Sequence, residues 1–346
     1  MKAGLVGFAQ TGKTTFFNAL TGQHAQTGGG RGDKPNLGVI KVPDVRIDRL
    51  SAIFKPRRTV YAEVLFVDVP GSRGKGGGFD SATLNALREA DALVLVLRGF
   101  VGLDGSAPDP VRELADFESE LILNDLVMVE RRLERLRKEA GHDREKAVLD
   151  RLNAALQAEV PLRRVDLAPE EEREVSSFAF LSRRPLLVVL NAAEADVVQG
   201  VPPALEAAAS ERQLGVMIAC ASIEAEVAAL APEEQREFLA DLGVSEPAAA
   251  RLIQRAYALL DYVSFITVGE DEVRAWPVRR GSKAPRAAGR VHSDIERGFI
   301  RAEVMRYDEF IEIGTEARMK ELGKLRVEGK EYVVQDGDIV HFRFHV

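Results

Sequence analysis

The stretch Gly7-Phe8-Ala9-Gln10-Thr11-Gly12-Lys13-Thr14 decides the reading of this chain. It fits the pattern G-x-x-x-x-G-K-[ST] of a phosphate-cradling loop. Residues 2–7 before it are a short apolar run that reads as a buried strand. Lys13–Leu20 after it reads as the start of a helix. Strand, loop and helix in that order are what the chemistry needs. Glycines let the backbone wrap closely, so that its N–H groups point inward at phosphate oxygens. The helix N-terminus adds partial positive charge. Lys13 is expected to reach the β- and γ-phosphates, and the Thr14 hydroxyl to ligate Mg²⁺. Gly7, Gln10, Thr11, Gly12 and Thr15 complete the expected nucleotide contacts. The bland alternative is a chance match in a glycine-containing turn, and the flanking strand and helix weigh against it.

Three more short motifs belong with the first. Phe66-Val67-Asp68-Val69-Pro70-Gly71 runs apolar residues into an aspartate at a strand end, with glycine three residues on. Asp68 is expected to hold Mg²⁺ and the Gly71 N–H to sense the γ-phosphate. Alone, D-x-x-G is weak, because Asp and Gly build ordinary turns readily. Behind a phosphate loop it gains force. Leu186–Leu190 leads into Asn191-Ala192-Ala193-Glu194, where guanine-specific GTPases carry N-K-x-D. Glu194 replaces the guanine-reading Asp with a longer carboxylate, so guanine selectivity should weaken. Asn191 can donate and accept, which suits adenine. The competing reading is a polar helix start after a strand. Cys220-Ala221-Ser222 ends the next strand, and its small residues would let backbone approach a base. Cys220 itself reads better as a small buried apolar residue than as a redox group.

The rest of the chain sorts into three textures. Strand runs at Gly38–Val42, Thr59–Val69, Asp91–Leu97, Pro185–Leu190 and Gly215–Ala219 alternate with helices at Ser81–Ala90, Pro203–Arg212, Pro232–Leu242 and Glu246–Leu260. That alternation predicts a mostly parallel α/β sheet. Residues 110–176 interrupt it. Leu114, Phe117, Leu121, Leu123, Leu126, Val129 and Leu133 recur at helical spacing amid dense charge, which predicts long paired helices. From about Val263 short strand-like runs appear at Ser264–Val268, Val273–Pro277, Phe299–Val304, Tyr332–Val334 and Ile339–Val346, with one helix near Tyr307–Leu322. The expected division is therefore a nucleotide-binding domain at 1–109 and 177–262, a helical insertion at 110–176, and a small α+β unit at 263–346.

Composition sets outer limits. A formal net charge of −7 gives no general attraction to nucleic acid or anionic membrane, and no DNA specificity is evident. No apolar run reaches the roughly 18 residues a membrane span requires. The start of the chain lacks the apolar run of a signal peptide, and the lone Cys220 cannot form an internal disulfide, so a cytoplasmic setting is expected. Local basic runs exist at Arg131, Arg132, Arg135, Arg137 and Lys138, and at Arg279, Arg280, Lys283, Arg286 and Arg290. The first is interleaved with Glu130, Glu134 and Glu139 and reads as a solvated helix face. The second has fewer acids nearby in sequence and is the better candidate for rRNA phosphates. Trp276 reads as a core residue before a stacking platform.

With these residues in place, the chain resembles the YchF family of Obg-related ATPases. The resemblance rests on GFAQTGKTTFFNALTG, FVDVPG, NAAE and CASIEAEVAAL, and most specifically on APRAAGRVHSDIERGFIRAEV and LRVEGKEYVVQDGDIVHFRFHV. It implies a P-loop GTPase-like sheet, a helical arm and a C-terminal TGS-type β-grasp domain. It further implies a purine nucleotide with Mg²⁺, ATP preferred over GTP, slow hydrolysis and association with the ribosome. On it, Lys13, Thr14 and Gly71 act on the phosphates, Thr14 and Asp68 hold the metal, and Asn191 and Glu194 read the base.

Several positions depart from the family pattern and mark a divergent member. The Thr expected about four residues before Pro35-Asn36 is replaced by Arg31-Gly32-Asp33-Lys34, and Thr27 lies several residues early. Ser72 follows D-x-x-G where a hydrophobic residue is usual. Gln10 replaces an Asn that supports potassium in related GTPases. Three functional classes follow: a slow ATPase switch, a nucleotide-gated binding module with little hydrolysis, and a GTP-preferring GTPase.

Overall fold

The computed structural model describes residues 1–25, 35–69, 78–139, 141–244 and 246–345. In chain order its elements are β1 (Lys2–Val6), α1 (Lys13–Thr21), β2 (Asn36–Lys41), α2 (Val45–Phe54), β3 (Arg58–Val60), β4 (Glu63–Asp68), α3 (Ser81–Glu89), β5 (Ala92–Gly99), α4 (Pro110–Leu136), α5 (Asp143–Gln157) and α6 (Pro169–Val175). There follow β6 (Leu186–Ala192), α7 (Pro203–Glu211), β7 (Gly215–Ala219), α8 (Ala221–Ala229), α9 (Pro232–Asp241), α10 (Ala248–Leu259), β8 (Tyr262–Thr267), β9 (Glu272–Arg279), α11 (Ala284–Val291), α12 (Ser293–Arg297), β10 (Phe299–Arg306), α13 (Tyr307–Ile313), α14 (Glu316–Glu321), β11 (Arg326–Glu328) and β12 (Asp338–Phe344).

The chain divides into two units: Met1–Ile40 with Leu65–Leu252, and Lys41–Val64 with Ile253–Val346. The first holds a six-stranded sheet in the order β2-β4-β1-β5-β6-β7. The neighbours from β4 to β7 pair in parallel, as the alternating strand and helix pattern predicts. β5 is the clearest case. Its run ALVLVL is buried at every position, because a central parallel strand is covered on both faces. One face of the sheet packs Val6, Leu93, Leu95 and Val188 against Leu87 of α3, Leu205 of α7, and Leu114, Phe117 and Leu121 of α4.

α4 is shared between two cores. Asp109 caps it by accepting from the Arg112 N–H at 3.1 Å, and Pro110 occupies its first turn. Its first half lies on the sheet. Its second half buries Val129, Leu133 and Leu136 against Val148, Leu149, Leu152 and Leu156 of α5, which gives the expected paired helices. One position in the predicted stripe differs. Leu123 is 56% exposed, while Asp125 is buried on the inward face. The Asp125 carboxylate accepts from the Leu181 N–H at 2.9 Å, and from the Ser182 N–H and hydroxyl at 2.7 and 2.6 Å.

The second unit holds a mixed six-stranded sheet, ordered β11-β10-β12-β8-β9-β3. Its core joins Phe265, Val278, Val304 and Val340 to Ala284, Ala287 and Ala288 of α11. Trp276 packs beside this core, donates to Thr267 Oγ1 at 2.9 Å and lies under the Arg274 guanidinium at 4.2 Å, so it serves structure.

Four expectations are corrected here. The run Thr59–Val69 is two strands in two sheets: β3 pairs in parallel with β9, whereas β4 pairs with β1. Residues 41–64, expected inside 1–109, therefore group with the C-terminal sheet. The helix expected near Tyr307–Leu322 is broken into α13 and α14 at Gly314, whose φ of 89° no other residue type adopts readily. Among the described residues Tyr332–Val334 contributes an isolated bridge, from Val333 to Lys283, and the edge strand antiparallel to β10 is β11.

Candidate functional site

β1 ends at the phosphate loop and α1 begins inside it. Gly7 has φ +143°, and a Cβ there would lie 2.4 Å from the Val96 carbonyl oxygen on β5. Gly12 has φ +83°, and its Cβ would meet the Asn191 side chain at 2.2 Å. Both motif glycines are thus required by backbone conformation and by close neighbours. Gln10 also has positive φ, at 64°, on the exposed part of the loop.

Lys13 is only 6% exposed. Its ammonium donates to the Phe8 carbonyl at 2.7 Å across the loop. Burial lowers its pKa to about 8, while the carboxylates of Asp68 and Glu113 act in the opposite direction. A partly desolvated ammonium whose hydrogen bond among the described residues is to a neutral carbonyl gains strongly from an incoming phosphate. Thr14 donates its hydroxyl to Asp68 Oδ2 at 2.9 Å, so the two expected metal ligands are brought together. Asn36 Nδ2 donates to the same oxygen at 3.1 Å. Asp68 is 4% exposed, yet its Oδ1 is buried with no partner among the described residues. A buried, half-satisfied carboxylate beside a hydroxyl suits a hard divalent cation. No cluster of three or more His, Cys, Asp or Glu suited to a metal occurs among the described residues. A divalent ion held by Asp68 and Thr14 would need further oxygen donors from outside these two side chains.

Asn191 lies at the end of β6 and is 4% exposed. Its Nδ2 donates to the Thr11 carbonyl and its Oδ1 accepts from the Ala221 N–H, each at 2.9 Å. Its amide stitches the phosphate loop to the turn between β7 and α8. Each bond uses one of the two N–H donors and one of the two lone pairs of that amide, so a second donor and a second acceptor site remain on it. Glu194 and Ser222 are exposed on the same rim, where the Ser222 hydroxyl donates to Glu194 Oε1 at 3.1 Å. Cys220 Sγ is 3.1 Å from Ser222 Oγ and packs with Ile223, Val227 and Leu239, as a small apolar residue does.

Comparison with known proteins gives the lineage. Residues 262–345 match the YchF-GTPase C-terminal model, described as a protein of unknown function, and residues 2–132 match the model of 50S ribosome-binding GTPases. The ribosome-binding ATPase YchF of Bacillus subtilis is 39% identical over 366 residues, covering 100% of both chains. That of Haemophilus influenzae is 41% identical over 362 residues, covering 100% of this chain and 99% of its own. The chain belongs to the YchF family. The solved structure of the Schizosaccharomyces pombe YchF GTPase superposes with a TM-score of 0.88 at 29% identity, covering 99% of this chain and 97% of that one. A YchF-type, P-loop GTPase-like fold with a separate C-terminal part thus accounts for essentially the whole length.

For this YchF chain, the expected γ-phosphate sensor Gly71 lies outside the described residues, as do Ser72, Thr27 and residues 31–34. Thr15 is half-buried in α1. Asn36 was not singled out from the sequence for any role of its own. Its one signal there is its place in the Pro35-Asn36 pair, just before an alternating strand. The second basic cluster is better balanced than its sequence shows. Asp261 pairs with Arg280 at 3.0 Å, Glu331 with Lys283, and Glu296 with Arg286 at 3.9 Å.

Proposed function

We propose that this chain binds a purine nucleoside triphosphate with Mg²⁺ at Gly7–Thr15 and hydrolyses it slowly, with ATP preferred over GTP, as a ribosome-associated switch. The carrying observation is Asp68, buried and half-satisfied, hydrogen-bonded to Thr14 next to a desolvated Lys13. The relatives named ribosome-binding ATPases support the coupling to the ribosome. ATP preference is supported by Glu194 in place of the guanine-reading Asp and by its tie to Ser222.

Lys13 holds the β- and γ-phosphates, and the loop N–H groups orient them. Thr14 and Asp68 hold the Mg²⁺, which when bound supplies charge neutralisation on the phosphate oxygens. No side chain among the described residues is placed as a general base, so rate comes from positioning and charge. Gly71 senses the γ-phosphate, and the nucleotide state is read out through the helical insertion and the C-terminal unit. The setting is cytoplasmic, with rRNA as the expected ribosomal contact. Among the described residues no helix is long and apolar enough to cross a membrane.

A second reading, a nucleotide-gated binding module with little turnover, draws on Ser72 and on the absence of Thr at 31–34. One experiment tests the binding claim: affinities for ATP, ADP, GTP and GDP with Mg²⁺, on wild type and Lys13→Ala. ATP binding that Lys13→Ala loses by 100-fold or more is expected, and no purine nucleotide binding at all refutes it. Single-turnover cleavage with and without ribosomes then separates switch from module. A rate no faster than that of Lys13→Ala eliminates the enzyme.

A further inference from the structure

We propose that Asn36 is a positioning residue for the metal, selecting which oxygen of Asp68 faces the ion. The inference rests on the nucleotide and Mg²⁺ reading above and goes beyond it. Asp68 has two oxygens in unlike surroundings. Oδ2 accepts from both Thr14 Oγ1 and Asn36 Nδ2, at 2.9 and 3.1 Å. Oδ1 is buried with no partner among the described residues. Thr14 has a single proton, which it spends on Oδ2, so both its lone pairs are left for a cation. With Oδ2 occupied by two donors, Oδ1 is the oxygen that remains for the ion or its water.

The second donor is what fixes this arrangement. The terminal torsion of an Asp carboxylate is broad and roughly two-fold, so one hydrogen bond from a rotatable hydroxyl sets it loosely. Asn36 adds a second bond from a different direction. It comes from the first residue of β2, a strand of the same sheet, so the donor rides on a rigid element. The donor is also neutral. A Lys or Arg at this place would hold the carboxylate equally well but would cancel the charge a divalent ion needs. A primary amide orients Asp68 and leaves its full negative charge to the metal. Groups that orient metal-ligating carboxylates are worth about 10–100-fold in metal affinity.

The test measures metal dependence separately from nucleotide binding. Wild type, Asn36→Ala and Asn36→Ser are loaded with a fluorescent ADP analogue in EDTA and titrated with Mg²⁺. Bound Mn²⁺ is then followed by its electron paramagnetic resonance spectrum. Serine keeps polarity but is too short to reach Asp68, and it guards against a folding defect in the alanine variant. Both variants should need about 10–100-fold more Mg²⁺. Their Mg²⁺-free nucleotide affinity should stay within about two-fold of wild type, and the Mn²⁺ spectrum should broaden. Unchanged Mg²⁺ midpoints in variants that bind nucleotide would overturn the assignment. So would an equal loss of Mg²⁺-free affinity, which would make Asn36 a support of the loop. Wild type that binds no nucleotide removes the underlying reading, and this assignment with it, a result plainly different from the other two.

Discussion

Truncating Asn191 separates a structural clamp from a base reader. In the folded chain its amide makes two hydrogen bonds to backbone, at 2.9 Å each, from a site 4% exposed. Asn191→Ala leaves the Thr11 carbonyl and the Ala221 N–H without these partners. A buried polar group left unsatisfied costs about 1–3 kcal/mol, so two cost on the order of 2–6 kcal/mol. That is a large part of the roughly 5–15 kcal/mol that holds a typical domain folded. Asn191→Asp is no milder, because its second oxygen would face the Thr11 carbonyl and bring a buried charge. Urea unfolding followed by circular dichroism gives the stability, and displacement of a fluorescent nucleotide gives the affinities. The midpoint should fall at constant slope, and ATP and GTP should weaken by the same factor. An unchanged midpoint together with a shifted ATP-to-GTP ratio would refute the clamp and return Asn191 to the base.

Gly7→Ala should cost about 1–3 kcal/mol in backbone strain, with the overlap against the Val96 carbonyl in addition, seen as a lower melting temperature and lost nucleotide binding. Wild-type melting behaviour in that variant would show that the loop relaxes freely. Glu118→Gln should destabilise by about 3–5 kcal/mol, because it strips a carboxylate from Arg163, whose guanidinium burial already pushes down to about 10, and from Arg212 at 2.9 Å. The double change Glu118→Met with Arg163→Met should recover much of that loss in the same unfolding assay, and a cost no smaller than the single change would count against the pairing. Burial raises the Asp125 carboxyl above its ordinary value, although its three hydrogen bonds act the other way. The folded state therefore binds this proton more tightly than the unfolded one, so its contribution to stability falls as pH rises from about 4 through the raised value. Asp125→Asn should lack that slope, so the difference between the wild-type and variant urea-midpoint profiles should change with pH over this range, and parallel profiles would contradict it.

The phosphate loop was legible because its chemistry is local. Glycines, Lys13 and Thr14 must follow one another, and the strand and helix around them have plain periodicity. β7 was legible to the residue for the same reason: its run is apolar and bounded by Gly215 and Cys220. The meeting of Thr14 with Asp68 followed from their motifs, but Asn36 did not, because a hydrogen bond across 32 residues has no periodicity to read. The split at 59–69 was hidden because strand alternation reports a face and never the partner. α11 escaped notice because its buried face is Ala284, Ala287 and Ala288 among arginines, a stripe too small to register as apolar. α2 carries a signal that can be read locally: Asp44 caps it, and Ile47 and Leu50 share its buried face. Asn191 is legible at its strand end, but its tie to two backbone groups is not, since both partners belong to residues 180 and 30 positions away.

The early lodging of residues 41–64 in the C-terminal sheet bears on how the chain is made. Val60 pairs with Arg274, and Phe54 stacks on Phe310 at 5.6 Å. Synthesis at about 5–20 residues per second therefore leaves the β3 strand waiting roughly 10–40 s for the one it will lie beside. A polypeptide started afresh at Tyr262 would never receive it, and would carry a bare strand edge and an uncovered Phe310 into solution.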